Sequence, residues 1–423
     1  MSRTGTPRIL AVTYGGGHVA MVLPVLRALR ARLPGVHIDL LALTTARRAA
    51  IDAGEAPLGY ADLLHLLPED ERGLALELGR PLQQGNAHPD IDPAETLAYL
   101  GVNVLDLQLQ LGPDAAQARI AERGRHGFYP IHFFGRIIAH LAPDLVLATN
   151  SPRSEQAAVD AAADAGIPTL AMLDLFGLPG DAFAARTRHP DTTCVLADVV
   201  RDNLVAAGWP AGRIAITGNP AFDALHEPAT RAAAGALRQR LGWAGSKVVL
   251  LAAHPEPRSH PATRWPAGDA LPLAMESALR DWVHARPGAA LIVRHHPNHW
   301  HRYPRLPDDA QVHFSVPGDE PIDPLILAAD CVVVQTTTVG LQAASVGIPV
   351  LAMQCSPGAL GAFSLADLGI AQGVADVPDL PAAVDAVLAD RPAPTAWARP
   401  VLAADGVADE ALWLLARALH RET

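Results

Sequence analysis

Short apolar segments alternate with longer stretches of helical period along most of this 423-residue chain. Strands that are separated by helices predict parallel sheets with right-handed crossovers, because a parallel neighbour is reached only through such a connection. The alternation therefore predicts a doubly wound α/β architecture. The predicted strands are Arg8–Thr13, His37–Ala42, Leu145–Thr149, Thr169–Leu173, Thr193–Leu196, Lys247–Ala252, Ala289–Arg294, Val312–Phe314, Cys331–Val334 and Pro349–Ala352.

A helix that ends in Gly-Ile-Pro and leads into an apolar strand occurs once in each half of the chain, at Gly166-Ile167-Pro168 and at Gly347-Ile348-Pro349. Glycine fits the left-handed position that follows a helix, and proline prevents the helix from continuing. The repeated element predicts two similar Rossmann-like domains rather than one long sheet.

The domain boundary is predicted where Gly, Asn and Pro cluster at residues 218–220. Residues 1–220 then form the N-terminal domain, residues 221–395 the C-terminal domain, and residues 396–423 a segment whose helix returns to the N-terminal domain. Residues 66–127 hold several Pro, Gln and Asp residues, and we expect an irregular insertion there that faces a cleft between the domains.

Composition excludes several classes of function. The chain has 33 Lys and Arg against 44 Asp and Glu, a net charge of −11, which disfavours nucleic-acid binding because phosphate backbones attract basic surfaces. Its three cysteines are far apart and lack CxxC spacing, which excludes a disulfide scaffold and a structural zinc site. We expect a cytoplasmic protein, with peripheral attachment to the inner face of the membrane left open.

The first motif is Gly15-Gly16-Gly17-His18, which follows the first predicted strand and precedes a helix. Gly16 and Gly17 allow the backbone to approach a ligand, and a helix N-terminus offers free N–H groups to an anion. His18 titrates near neutrality and can serve as a base or as a phosphate donor. The alternative is a tight turn with an exposed histidine. The motif is neither GxGxxG nor a Walker loop, so ordinary dinucleotide binding is disfavoured.

Two further strands end in a His-Pro pair. One delivers His254, and the other ends in the basic sequence Arg294-His295-His296-Pro297-Asn298. Because ligands bind at the carboxyl ends of strands in open α/β sheets, we expect His254, Arg294, His296 and Asn298 to line an anionic-ligand site. The alternatives are solvated histidines, or a zinc site built from the histidines at 295, 296, 299 and 301, which the absence of nearby Cys and of an HExxH helix disfavours.

A triple threonine follows the apolar strand Cys331–Val334 and opens a helix. The hydroxyls of Thr336, Thr337 and Thr338, with the first N–H groups of that helix, predict a pyrophosphate site, and Gln342 lies one turn further on, within reach of a ribose. The alternative is a plain helix cap, for which one threonine would suffice.

A lone acid, Asp174, stands near the end of the strand Thr169–Leu173. From there it can act as a base toward a ligand at the edge of the sheet. A helix cap or a surface turn is an equally good interpretation.

These motifs together resemble the GT-B fold of nucleotide-sugar glycosyltransferases and of the non-hydrolysing UDP-N-acetylglucosamine 2-epimerases. Residues 216–225 look like the interdomain segment of the epimerases, and Thr336–Pro349 looks like the nucleotide-binding helix shared with capsule-type transferases. Gly15–His18 is similar to the glycine loop of lipid-linked and diacylglycerol glycosyltransferases. Arg294–Asn298 resembles the basic His-Pro motif of capsule and teichoic-acid polymerising transferases. The resemblance implies a C-terminal domain that holds the nucleotide.

The chain also departs from the epimerase pattern. Asn150 stands where those enzymes carry an Asp, Asp174 is the only acid in place of their His-x-Glu-Ala-Gly segment, and Gln342 replaces the ribose-binding Glu. Epimerisation by elimination and re-addition needs several acids and bases around the sugar. These departures favour transfer over epimerisation.

We therefore expect a metal-independent, inverting glycosyltransferase in which an acceptor hydroxyl attacks the anomeric carbon. His18 is the first candidate for the base and Asp174 the second, while Thr336–Thr338, Arg294 and His296 stabilise the departing diphosphate. The alternatives are a nucleotide-sugar 2-epimerase, hydrolysing or not, and a catalytically silent nucleotide-sugar-binding protein.

The expected ligands are a nucleotide-diphosphate sugar as donor substrate, with UDP favoured, and a glycan, lipid-linked or small-molecule acceptor. We expect no resident cofactor, no metal ion and no nucleic acid. The oligomeric state is left open, and the analogy with the epimerases would imply a homodimer.

Overall fold

The computed structural model describes residues 6–86, 88–304, 309–399 and 401–421. It divides into two compact units, of which the first comprises the residues up to Ala221 together with those from Leu402 onwards, and the second comprises Phe222–Val401. Each unit contains one six-stranded sheet in which all paired strands are parallel. The predicted doubly wound α/β class is confirmed.

The sheet of the first unit has the strand order β2-β1-β3-β4-β5-β6. Its side chains alternate between two cores. Ile9 and Ala11 pack with the first helix, whereas Leu10 and Val12 pack with Tyr60 and other residues of the opposite face. The strands are β1 (Arg8–Tyr14), β2 (His37–Leu43), β3 (Leu145–Ala148), β4 (Thr169–Met172), β5 (Thr192–Val195) and β6 (Ile214–Ile216).

Nine α-helices accompany this sheet within the described residues before the second unit begins. They are α1 (Gly15–Arg32), α2 (Thr45–Asp52), α3 (Tyr60–Leu63), α4 (Glu69–Gln83), α5 (Pro93–Leu111), α6 (Pro113–Arg123), α7 (Ile131–Leu141), α8 (Ser154–Asp164) and α9 (Asp198–Ala206).

The expectation of an irregular insertion at residues 66–127 is wrong, because α4, α5 and α6 fill most of this segment. Two of its prolines begin helices rather than break them. Pro93 and Pro113 stand in the first turns of α5 and α6, where the missing N–H has no intrahelical partner to lose. Asp92 caps α5 by accepting a hydrogen bond from the backbone N–H of Ala94 at 2.7 Å.

The sheet of the second unit has the order β12-β11-β10-β7-β8-β9. Its strands are β7 (Lys247–Ala253), β8 (Ala289–His295), β9 (Val312–Ser315), β10 (Cys331–Val334), β11 (Val350–Met353) and β12 (Gln372–Val374). Its helices are α10 (Pro228–Arg240), α11 (Ala270–His284), α12 (Ile322–Ala328), α13 (Thr338–Ser345), α14 (Pro357–Gly361) and α15 (Leu380–Ala389).

The strand predictions agree with the structure, since every predicted strand ends within one residue of an observed one. The edge strand β12 has no counterpart among the predicted strands. Its sequence, Gln372-Gly373-Val374, is short and contains a single fully buried residue, so it carries no strand pattern.

A final helix, α16 (Ala403–Arg421), packs against α1 in the first unit. Val407 and Ala411 lie in the same core as Leu26 of α1, and Arg32 pairs with Asp405 at 3.0 Å. Within the described ranges, no helix combines the length and the apolar character that crossing a bilayer requires.

The contact between α4 and α5 provides a stability prediction. A Cβ added to Gly101 would lie 1.9 Å from the carbonyl oxygen of Ala75, so Gly101→Ala forces two helix backbones apart. We expect it to lower the free energy of unfolding by about 3 kcal/mol. Gly73→Ala in α4 meets nothing within 4 Å and should raise it by about 0.5 kcal/mol, because alanine is the better helix former.

Urea unfolding of the full chain, followed by circular dichroism, compares the two variants with the parent. A Gly101→Ala protein as stable as the Gly73→Ala protein would contradict the close backbone contact between α4 and α5.

Candidate active site

The first candidate site lies where β1 meets α1. The glycine motif opens the first helix, because α1 begins at Gly15 directly after β1 ends at Tyr14. Gly15 has a φ of +83°, which a residue with a side chain rarely adopts. The N–H of Gly16 donates to Thr45 Oγ1 at 3.1 Å, and Gly17 is exposed. His18 therefore lies on the first turn of a helix.

Both nitrogens of the His18 imidazole face carboxylates. Nδ1 lies 3.2 Å from Oε1 of Glu155, and Nε2 lies 3.4 Å from Oδ2 of Asp174. Asp174 follows β4, and Glu155 stands in the first turn of α8. The structure thus brings the two predicted catalytic residues, His18 and Asp174, together and adds Glu155 to them.

Glu155 is fully buried and accepts hydrogen bonds from several sides. Besides His18, its donors are the backbone N–H of Tyr14 at 3.0 Å, the hydroxyl of Thr149 and the backbone N–H of Ser151. Sequence reasoning missed this residue. The available signal was an acid in the first turn of the helix that follows β3, a position that also suits the helix dipole and so carries no functional information by itself.

The two carboxylates determine the charge of His18. Burial lowers the pKa of the imidazole, but the hydrogen bonds and charges of Asp174 and Glu155 outweigh it and raise this pKa to about 10. Burial raises the pKa of Asp174, but the hydrogen bond and charge of His18 bring it below its usual range. At neutral pH, His18 is therefore a cation and Asp174 an anion. A protonated imidazole has no lone pair with which to accept a proton.

A cavity of about 260 Å³ in the first unit adjoins this cluster. Three of its lining residues each have one buried polar atom without a hydrogen-bond partner among the described residues: Ser151 Oγ, Arg153 Nε and Asp174 Oδ1. The full lining is Tyr14, His18, Asn150, Ser151, Pro152, Arg153, Asp174, Leu175, Asp181, Ala182 and Phe183.

A second acid, Asp181, also lines this cavity. Burial raises its pKa above the usual range for an aspartate, although the backbone N–H of Phe183 donates to it at 2.8 Å. The expectation that Asp174 is the only acid nearby is therefore wrong, because Glu155 and Asp181 join it. Asp181 lies in a loop with no pattern of its own, so only the folded chain reveals its position.

The second candidate site lies at the ends of β7 and β10 in the second unit. Gln335 Oε1 accepts from the backbone N–H of His254 at 3.0 Å, and Gln335 Nε2 donates to the His254 carbonyl at 3.0 Å. The Thr336 hydroxyl lies 3.3 Å from His254 Nε2. His254 Nδ1 lies 3.0 Å from the carbonyl oxygen of Pro255 and donates to it.

A buried glutamate, Glu256, connects this region to the start of α14. Its Oε1 accepts from Gln335 Nε2 at 2.6 Å and from Ser356 Oγ at 2.7 Å, and its Oε2 accepts from the N–H of Gly358 at 2.9 Å. These bonds fix the loop that carries His254. Sequence reasoning did not identify this residue either.

The threonines divide into different roles. Thr337 is the cap of α13, since its hydroxyl accepts from the N–H of Val339 at 3.4 Å. Thr336 contacts His254, and Thr338 is exposed at the first position of the helix. The triple threonine therefore contains the plain cap that was the alternative interpretation, with two further hydroxyls beside it.

The remaining predicted residues lie in differing surroundings. Arg294 is buried and donates to Ser315 Oγ at 2.8 Å. Because β8 continues to His295, Arg294 and His295 are residues of the buried strand and not of the loop that follows it. His296 and Asn298 are exposed in the loop that follows. Burial and the charges of His299 and His254 lower the pKa of His296.

Gln342 donates to Asp323 Oδ1 of α12 at 3.3 Å. His295, one of the four histidines of the zinc alternative, is fully buried and faces Glu276 at 3.1 Å. Across the residues that the structure describes, no group of three or more His, Cys, Asp or Glu side chains is arranged to hold a metal ion.

Comparison with known proteins gives matches at the level of structure. No protein-family model and no curated protein sequence matches the chain. The UDP-GlcNAc 2-epimerase of Neisseria meningitidis, solved with UDP-GlcNAc bound, is 13% identical with a TM-score of 0.54, over 97% of this chain and 100% of that one. The corresponding enzyme of Methanocaldococcus jannaschii is 11% identical with a TM-score of 0.57, over 96% and 99% of the two chains.

A third solved structure, the UDP-N-acetylglucosamine 2-epimerase of Rickettsia bellii, is 12% identical with a TM-score of 0.56, over 99% of this chain and 98% of that one. These similarities extend over nearly the whole chain and concern the fold. The GT-B-like fold suggested by the sequence motifs is thereby confirmed.

The His18 cluster predicts an unusual titration. The imidazole resonances of His18 should stay at their protonated position from about pH 5 to about pH 9. Glu155→Gln should lower its pKa by on the order of two units, because the variant removes a charge and keeps the side chain's shape. Since the folded-state pKa exceeds the unfolded value of 6.5, the stabilisation from this proton is complete below 6.5 and is lost as the pH rises toward about 10.

Heteronuclear NMR of histidine-labelled protein measures this titration directly. Asp181→Asn is the control, because Asp181 lines the same cavity without bonding to His18. A His18 signal in the parent protein that titrates near the ordinary pKa of a histidine would contradict the placement of the imidazole between Glu155 and Asp174.

Proposed function

We propose that this protein is an enzyme that acts on a nucleoside-diphosphate sugar and epimerises the sugar at C2. The structural similarity to three UDP-GlcNAc 2-epimerases over nearly the whole chain supports this assignment. The observation that carries it is the cluster in the first unit, where His18 stands between two carboxylates beside a cavity that holds a further acid.

The acids that line this cavity supply the general base and the general acid that elimination and re-addition need. Elimination removes the proton from C2 and the nucleoside diphosphate from C1, and re-addition restores both, with the proton on the opposite face. At the level of sequence, departures such as Asn150 favoured transfer, because the motifs contained too few acids for epimerisation. Asp174 and Asp181 together remove that objection, since both line one cavity.

The opposite pKa shifts of Asp174 and Asp181 are the basis on which we assign them different roles. Asp174 is the base in this proposal, because its contact with His18 keeps it ionised and it lines the cavity. Asp181 is the acid, because burial raises its pKa. Two carboxyl groups whose surroundings move their pKa values apart form the usual arrangement for acid–base pairs.

His18 takes a different role from the base that the sequence suggested. As a cation it keeps Asp174 ionised and oriented, and Glu155 in turn keeps His18 protonated. In this proposal His18 and Glu155 are positioning residues, and the proton at C2 is taken by Asp174.

The second unit supplies the groups to which we assign the diphosphate. The hydroxyls of Thr336 and Thr338, the N-terminus of α13 and the imidazoles of His254 and His296 are all suited to an anion. The favoured substrate is a UDP-sugar.

The second candidate function remains a metal-independent glycosyltransferase. The ionised Asp174 favours it equally, because a transferase needs one base for the acceptor hydroxyl and no acid for C2. The two candidates differ in what they do with the donor alone. A transferase leaves the donor intact until an acceptor is added.

An exchange experiment tests the epimerase. UDP-GlcNAc incubated with the protein in D2O, without acceptor, should lose its C2 proton signal and give the C2 epimer or, for a hydrolysing enzyme, free UDP. Asp174→Asn should lower the rate at least 100-fold, because the base is removed. Asp114→Asn, an exposed acid on α6, should leave the rate unchanged.

Proton NMR follows the signal over time. A donor that stays unexchanged alone and is consumed only when an acceptor is supplied would contradict the epimerase and favour the transferase.

A binding experiment tests the assignment of the diphosphate. UDP at a hundred times its dissociation constant should stabilise the protein by about 2.7 kcal/mol. Thr336→Val should weaken UDP binding by about 5-fold to 30-fold, because it removes a hydroxyl donor that the imidazole of His254 orients.

The control is Thr230→Val in α10, which should bind UDP as the parent does. Thermal unfolding with and without UDP measures both variants. Equal stabilisation of the two variants would contradict the role of Thr336.

A further inference from the structure

Arg153 lines the cavity of the first unit and lacks a counter-ion. Among the described residues its side chain makes no ion pair, and Nε is buried without a hydrogen-bond partner. Its guanidinium carbon lies 4.2 Å from the centroid of the Tyr14 ring, which holds the group in place. The cavity therefore contains an oriented guanidinium with which none of the described residues forms an ion pair.

The acids near this arginine have other partners. Oδ2 of Asp174 faces His18 at 3.4 Å, Asp181 accepts from the N–H of Phe183 at 2.8 Å, and Glu155 is satisfied by His18 and by several donors of its own unit. The Arg153 side chain is only partly buried, so its guanidinium can take an anion from outside the chain as its partner.

A second unsatisfied donor stands close to Arg153 in the sequence and lines the same cavity. The hydroxyl of Ser151 is buried and has no partner among the described residues. A guanidinium presents a planar pair of N–H donors that matches the two oxygens of a carboxylate, and a neighbouring hydroxyl adds a third donor.

We propose that Arg153 and Ser151 bind a carboxylate on the sugar ring, so that the substrate is a nucleoside-diphosphate hexuronate rather than a neutral hexose. This inference rests on the proposed function, in which the ligand is a nucleotide sugar. The charge balance of the cavity favours a carboxylate over a phosphate group. Asp174 is ionised and shares the cavity with Arg153, and it repels a singly charged carboxylate less than a doubly charged phosphate.

A matched pair of ligands tests the proposal. UDP-N-acetylglucosamine and UDP-N-acetylglucosaminuronic acid differ only at C6, where the second carries a carboxylate. Calorimetry with the full chain should give at least 10-fold tighter binding of the uronate. Arg153→Leu should remove this preference while changing the affinity for UDP-N-acetylglucosamine less than about 3-fold.

Two further variants keep the result interpretable. Arg153→Lys retains the charge without the planar fork, and should keep part of the preference. Arg123→Leu, an exposed arginine at the end of α6, should bind both ligands as the parent does. Thermal unfolding confirms that each variant is folded before binding is measured, and Arg153→Gln replaces Arg153→Leu if the latter is not.

The outcomes separate the sources of the anion. If Arg153→Leu weakens both ligands and UDP by the same factor, Arg153 binds the diphosphate and the proposal is overturned. A parent protein that does not distinguish the two ligands also overturns it. If neither ligand exchanges its C2 proton but the uronate still binds tighter through Arg153, the epimerase assignment fails and the carboxylate site stands.

Discussion

The carboxylate of Glu155 is the interaction on which the first candidate site depends. A buried charge must be paired, and this one is paired by groups from the end of β1, the start of α1 and the segment that follows β3. His18 extends the pairing to Asp174 after β4. Since β1, β3 and β4 are consecutive neighbours in the sheet, a single chain of charge-assisted bonds joins three adjacent strand ends.

The second unit uses a related arrangement with a different chemical outcome. Glu256 is also buried, and it also collects donors from the segments after neighbouring strands and from the start of a helix. Its partners are an amide, a hydroxyl and a backbone N–H, none of which titrates near neutrality. Glu155 contacts an imidazole instead. The first arrangement therefore controls a proton, whereas the second holds a loop in position.

The sequence was sufficient for the sheets and for part of the site. Alternating strands and helices predict two parallel sheets, and the rule that ligands gather at carboxyl ends predicts that His18 and Asp174 meet. The rule does not say where a strand stops pairing. Because β8 pairs with β7 and β9 through Arg294, that side chain stays in the sheet and contacts Ser315 instead of a ligand.

Other residues of the site escape sequence reasoning for a physical reason. Glu155 and Asp181 owe their importance to burial and to the partners they have, and both are properties of the folded chain. The helices of residues 66–127 were missed for a local reason. In a sequence, proline usually indicates the end of a helix. At the first turn of a helix, however, it costs no hydrogen bond, as Pro93 and Pro113 illustrate.

The position of α16 has a consequence for how the protein is made. Its residues Val407, Ala411 and Leu414 belong to the core that α1 and the first sheet form. During translation this core stays open until α16 has left the ribosome. The unit formed by Phe222–Val401 is synthesised completely before α16. It can therefore complete its folding while the first unit still lacks this helix.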